Sequence, residues 1–264
     1  MPFDLFINGQ SCLTGDAPVE DFAPFLDVRK LRRAQAVSKN ALLCACKALA
    51  QAQLTPQAQT DMGISLALGA GALESTLKFI DTIVEDGDEL SSPTAFASSV
   101  HNSTALMLSM FLHIHGPCIV TGQFDSSFAA ALLSAQQFLQ KNMCEQVLVV
   151  ISEDINPLVE QCVQQDAHVF DPFIYQPQSA FQRVAGAFVI SAKPTEKTSH
   201  ILRQVSLSRT DDISTQSQPQ FPVSSCAHSV LLFEERLKTN SPFVWREQFA
   251  GSILEITGEP YVFS

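Results

Sequence analysis

Apolar positions along this chain alternate between short continuous runs and longer stripes, and the two patterns predict strands and helices in turn. Phe3 to Ile7 reads as a first strand closed by an Asn8-Gly9 turn. From about Leu31, the residues Ala34, Val37, Ala41, Ala45 and Ala48 recur at steps of three and four, one face of a long helix ending near Gln53. Met62 to Leu68 is a short apolar run, and Gly69-Ala70-Gly71 turns it into a helix from Ala72 to Val84. The stretch SSPTAFASSVHNSTALMLSMFLHIHGP opens as a loop of small residues and becomes a Leu/Met/Phe-rich helix stopped by Gly116-Pro117. Cys118 to Thr121 is strand-like, Gly122-Gln123-Phe124 is a short turn, and an Ala/Leu helix follows from Ser126 to Lys141. Val147 to Ile151 and Ala185 to Ile190 are apolar on both faces, as strands covered by helices on either side should be. This alternation predicts a layered α/β fold with a mixed or mainly parallel sheet. Beyond Arg209 the texture changes: Asp211 to Ser225 is polar and turn-rich and reads as a linker or long surface loop. After it come one helix, Ser229 to Leu237, and one or two short strands around Ile253 to Ile256.

Composition narrows the classes. With 264 residues, 46% of them apolar and 16% charged, the chain can bury a large core. Sixteen Lys and Arg against 27 Asp and Glu give a formal charge of −11, and the only basic cluster is Arg29-Lys30 with Arg32-Arg33, so nucleic acid is excluded as a partner. The seven cysteines lack the paired spacing of a zinc site and the density of a disulfide scaffold, and read as reduced, buried small residues. The first residues carry Asp4 and no basic segment, and no apolar run reaches the ~18 residues of a membrane span. A cytoplasmic protein with no membrane span is expected.

The candidate chemistry centres on the turn before the Ala/Leu helix. A strand, a tight turn and a reactive residue at a helix N-terminus make a nucleophile elbow, in which backbone N–H groups and the helix dipole favour negative charge. Here the apex is Asp125, followed by Ser126 and preceded by Phe124. A cysteine there would be an activated thiolate; an aspartate is an N-cap worth ~1 kcal/mol and a poor acyl acceptor. G-x-S-x-G is absent, so a serine hydrolase is not indicated. Gly69-x-Gly71 has Glu74 where a dinucleotide fingerprint needs its third glycine, and a tight turn explains it better. His113 and His115, two residues apart, cannot chelate a metal from one helix face and read as a helix C-terminus. Cys44 and Cys46 have the same spacing problem, and Cys226-Ala227-His228 is too close in sequence to supply a thiol and a base facing each other. No cofactor and no metal are expected.

Taken in order, FASSVHNST, Gly116-Pro117, DSSFAAALLSA, EQVLVVISED and FDPF with FQRVAGAFVIS resemble successive landmarks of the N-terminal half of a β-ketoacyl synthase. The resemblance covers Pro2 to Ala192 and implies a thiolase-like α/β/α fold, its N-terminal half nearly complete and its C-terminal half strongly truncated. Residues 1–192 are then a synthase-like domain, and 193–264 a linker and short appendage packed on it. By the same resemblance, the family's acylated cysteine falls on Asp125, its Gly-Glu-Gly on Gln182-Arg183-Val184, and its two catalytic histidines have no counterpart. The implied protein is a non-catalytic chain length factor of a type II polyketide system, closest to the truncated synthase-like proteins of aryl polyene clusters. It would form a heterodimer with a ketosynthase and meet an acyl carrier protein through that complex. The resemblance further implies a dimer interface on Pro117, Cys118, Ile119, Val120, Thr121 and Gly122, and a tunnel lined by His101, Asn102, Ala105, Met107, Met110 and Phe111. Two rival readings are a stand-alone acyl-transfer or thioester-hydrolysing enzyme using Asp125 or Ser126 with His101 or His228 as base, and a scaffold protein of the same fold.

Overall fold

The computed structural model describes residues 3–32, 34–55, 61–69, 72–87, 91–123, 127–153, 183–209, 226–249 and 252–262. Strand β1 (Leu5–Thr14) runs straight through Asn8-Gly9, which is not a hairpin turn but a bulge where the pairing register shifts. The cause is burial. Asn8 points into the protein, where its Nδ2 donates to Ser191 Oγ at 2.8 Å and its Oδ1 accepts from Thr198 Oγ1 at 2.6 Å. Gly9 lies against the following helix so closely that a Cβ would sit 2.2 Å from the Ala48 carbonyl oxygen. That helix, α1 (Ala36–Gln51), starts five residues later than its periodicity predicts, since a short 3-10 turn, Val28–Leu31, takes the preceding segment.

The remaining elements are β2 (Met62–Ala67), α2 (Leu73–Asp86), α3 (Pro93–Ser99), α4 (Ser103–Leu112), β3 (Cys118–Thr121), α5 (Ser127–Gln140), β4 (Gln146–Glu153), β5 (Val184–Ser191), β6 (His200–Arg209), α6 (Cys226–Lys238), β7 (Phe243–Phe249) and β8 (Ser252–Pro260). Among the described residues one eight-stranded sheet has the order β3-β2-β4-β5-β1-β6-β8-β7. It is mixed, but not mainly parallel: β2 runs parallel to β3 and β4, while the other neighbours pair antiparallel. Parallel pairing needs a helical crossover, and helices α2 to α4 and α5 supply it only around β2, β3 and β4.

Both faces of the central strands are buried, and alternation sorts their side chains. Val147, Val149 and Ile151 face α5 and α6, while Leu148 and Val150 face α1 and α4. On the first face Phe128 lies 6.0 Å from Phe188, 5.3 Å from Phe233 and 5.6 Å from Trp245, ring centre to ring centre, so α5, β5, α6 and β7 share one aromatic cluster. Residues after 192 supply three strands and a helix to this sheet and core.

Candidate functional site

Strand β3 closes one end of the sheet. It is held in parallel register with β2, Ile64 opposite Cys118 and Ala67 opposite Thr121, and the Ile64 N–H donates to the Pro117 carbonyl at 2.8 Å. Gly116 makes that approach possible, because a Cβ there would lie 2.3 Å from the Met62 carbonyl oxygen. Among the described residues the outer edge of β3 faces no other strand: Cys118 and Ile119 are exposed, Ile119 by 37%, and Val120 and Thr121 are half-buried. No charged residue occurs from Gly116 to Gln123.

The turn after β3 is tied down by hydroxyls. Thr121 Oγ1 lies 3.2 Å from the Leu66 carbonyl and 3.1 Å from that of Ser127. The Ser127 hydroxyl accepts from the Gln123 N–H at 2.8 Å and donates to the Leu68 carbonyl at 3.3 Å. Ser127 is fully buried, with donor and acceptor both used, so it holds the turn and is not a nucleophile. The apex residues Phe124, Asp125 and Ser126 lie outside the described residues. Beside the turn, the buried carboxylate of Glu153 at the end of β4 accepts the Gly69 N–H. That contact fixes Gly69 just past the end of β2, residues 70 and 71 lie outside the described residues, and nothing in the spacing of the sequence announces the contact.

The residues expected to line a tunnel divide between two surfaces. Ala105 is 2% exposed and faces the core between α1 and α4, where Ser38 and Thr104 share a hydroxyl hydrogen bond of 2.7 Å. Met107 and Phe111 are half-buried against the same core. Met110 is 65% exposed, with Leu106 one turn before it, and both face outward. His101 and Asn102 are exposed, and the His101 ring covers the turn at Gly122, 3.3 Å from where a Cβ would stand. His113 caps α4 with φ 53°, its N–H donating to the Ser109 carbonyl. Of the three residues aligned with the family's Gly-Glu-Gly, Gln182 lies outside the described residues and Val184 begins β5. Arg183 instead ties two segments together, with ion pairs to Asp16 at 2.6 Å and to Glu74 at 3.3 Å.

No described thiol is primed for attack. Burial raises the pKa of Cys12 and pushes Cys44 and Cys46 up to about 12, while desolvation also raises Cys118 and Cys144. Among the described residues, no group of three or more His, Cys, Asp or Glu could hold a metal ion, and no helix is long and apolar enough to cross a membrane.

A mixed sheet with helices on both faces, its edge strand followed by a long helix, is the architecture of the thiolase-like ketosynthases, and solved structures of that fold cover nearly the whole chain. The chain belongs to the β-ketoacyl synthase family: the profile described as "Beta-ketoacyl synthase, N-terminal domain" matches residues 14–245. One similar structure is a type II polyketide acyl carrier protein in complex with its ketosynthase bound to the hexaketide (AntDE:AntF), with TM-score 0.74 at 12% identity over 99% of this chain and 100% of that one. Another is the ishigamide ketosynthase/chain length factor, with TM-score 0.73 at 11% identity over 97% and 99%. A third is the ketosynthase ApeO in complex with its chain length factor ApeC from Xenorhabdus doucetiae, with TM-score 0.62 at 17% identity over 97% and 99%. At these identities the likeness shows the fold. No curated protein matches the sequence.

Proposed function

We propose that this chain is a non-catalytic chain length factor, which pairs with a ketosynthase through β3 and shapes the acyl tunnel of the pair in polyketide synthesis of the aryl polyene kind. The observation that carries the reading is the contrast between the two ends of the sheet. An open strand edge invites pairing and is normally blunted by charge, proline or a bulge. The two ends differ in charge: β7 exposes Val244 but carries Arg246, which pairs across the strands with Glu255 at 2.6 Å. The β3 end has no charge and exposes Ile119. A partner strand laid along Pro117 to Gly122 would satisfy its free backbone groups and bury that side chain. The outward Met110 and Leu106 on α4 would extend the contact toward the partner's acyl chain, where flexible side chains suit a flexible ligand.

The aspartate at position 125 and the raised pKa values of the described thiols support a role without acyl transfer. The test is reconstitution with the neighbouring ketosynthase, its carrier protein and an extender unit. The pair makes a product of defined length, Asp125→Ser leaves turnover and product unchanged, and the isolated chain hydrolyses no acyl thioester. Thioester hydrolysis by the isolated chain, lost in Asp125→Ser, would establish the enzyme reading instead.

A further inference from the structure

The strand ends around the elbow lie at one end of the sheet. Thr14 and Glu153 both pair with Val184, and Ala67 pairs with Thr121 and with Ile151, so Asp16, Gly69, Gly122 and Arg183 follow or precede their strands at that end. Helices α2 and α3 leave from it after Gly69 and return to it at His101, whose ring stands over Gly122. The two helices hold to each other. Phe79 and Phe96 have ring centres 5.4 Å apart, Thr76 Oγ1 lies 3.3 Å from the Ser99 carbonyl oxygen, and the Ser92 N–H donates to Thr82 Oγ1 at 3.4 Å. No described side chain from Leu73 to Glu85, and none on α3, is buried. Polar ties join the pair to the body: Gln35 Nε2 donates to the Ser98 carbonyl at 3.1 Å, and Arg183 pairs with Glu74 at 3.3 Å.

Arg183 stands on a rigid post. The buried Asn40 side chain donates to the Gly15 carbonyl at 2.7 Å and accepts the Ala17 N–H at 2.9 Å, and Gly15, at φ 85°, donates its own N–H to the Arg183 carbonyl at 2.7 Å. This cradle sets Asp16 beside the guanidinium, 2.6 Å from Nη1. Nη2 reaches the other way, to Oε2 of Glu74 in the first turn of α2. Lys78, one turn further on, holds Oε1 of the same carboxylate. When the Arg183–Glu74 contact parts, Arg183 keeps Asp16 and Glu74 keeps Lys78. Neither charge is stranded, so the large penalty for breaking an ion pair is absent. We propose that the α2–α3 hairpin is a strap latched by Arg183, which opens as one unit from the elbow end of the sheet while the sheet stays folded. Val100 is its hinge: the backbone there is extended between α3 and α4, and buried Ala105, Leu108 and Leu112 fix α4 to the core. The strap follows from this chain's own contacts and does not depend on the chain length factor reading.

The experiment is native-state hydrogen exchange on the full chain, alone or co-purified with a ketosynthase, each variant compared with the parent in the same state. In the parent, amides of 73–86 and 93–99 share one opening constant, larger than that of β4 and β5. Glu74→Gln and Arg183→Gln each raise it about two- to fivefold, the weight of a partly exposed ion pair. Protection in β4 and β5 stays at the parent level, which also reports that each variant is folded. The double variant opens no more readily than either single one, because both remove the same contact. Raising the salt to about 1 M closes the gap between parent and variants, as lost packing would not. Helices that exchange independently of each other, or only together with β4 and β5, overturn the strap. Exchange that neither substitution moves, or a gap that salt leaves open, overturns the latch.

Discussion

At position 116 a single hydrogen atom decides whether β3 reaches its neighbour. Gly116→Ala would drive a methyl group into the Met62 carbonyl oxygen, now 2.3 Å from the Cβ position, and force β3 off β2. A loss of about 1–3 kcal/mol in urea unfolding is expected, in line with forced backbone strain; an unchanged midpoint would mean that the segment relaxes freely. His200 makes a different prediction. It begins β6 and is buried, and desolvation holds its pKa below the usual 6.5 against the opposing pull of the Thr239 backbone. The unfolded chain therefore takes up the proton first as pH falls, and the stability that the neutral imidazole secures is complete above pH 6.5 and drains away below it. His200→Gln should flatten the dependence of the melting temperature on pH between 7 and 5.5. Neither residue was readable as special from sequence. A glycine before a proline looks like a stop signal, and a histidine closing the polar stretch Lys193 to Ser199 looks like surface.

The elements split by how local their cause is. The strands β2, β4 and β5 and the helices α2 and α5 follow from runs and periods within a few residues, and the periods place them to within a residue or two. The Asn8-Gly9 pair carries the hairpin signature, yet the side chains that bury Asn8 come from residues 191, 195 and 198, and no local rule can see them. Strands β6 and β7 are hard to read because an antiparallel strand beside a polar stretch alternates weakly, and Phe243 and Trp245 of β7 find their cover on α5 and α6. The face of α4 was ambiguous for a related reason: every position is apolar or small, so only packing on α1 separates Ala105 and Leu108 from Leu106 and Met110. Consequently Ala105→Leu is expected to destabilise the chain itself by about 1–3 kcal/mol through overpacking. Met110→Trp should leave the melting temperature unchanged and alter product length in the reconstituted pair.

Across the whole molecule, the landmarks of the family were visible in the sequence, and the site they outline was visible only in part. Order and spacing led to the synthase fold, while the aspartate at the elbow argued against a nucleophile. What sequence could not supply was the joining of residues beyond 192 to the same sheet, since strand pairing over such distances leaves no local trace. Phe233 on α6 sits within the aromatic cluster of Phe128, Phe188 and Trp245, so Phe233→Ala should lower a single cooperative melting transition by the equivalent of about 3–5 kcal/mol. Two separate transitions would show that the C-terminal elements fold as a unit of their own. The most direct test of the account is the native mass of this chain co-expressed with its neighbouring ketosynthase, with and without Ile119→Pro, which removes a ladder N–H from the open edge. The account predicts a 1:1 heterodimer for the parent chain and separate subunits for the variant. A parent chain that purifies as a well-behaved monomer beside its ketosynthase, or a variant that pairs as firmly as the parent, would contradict it.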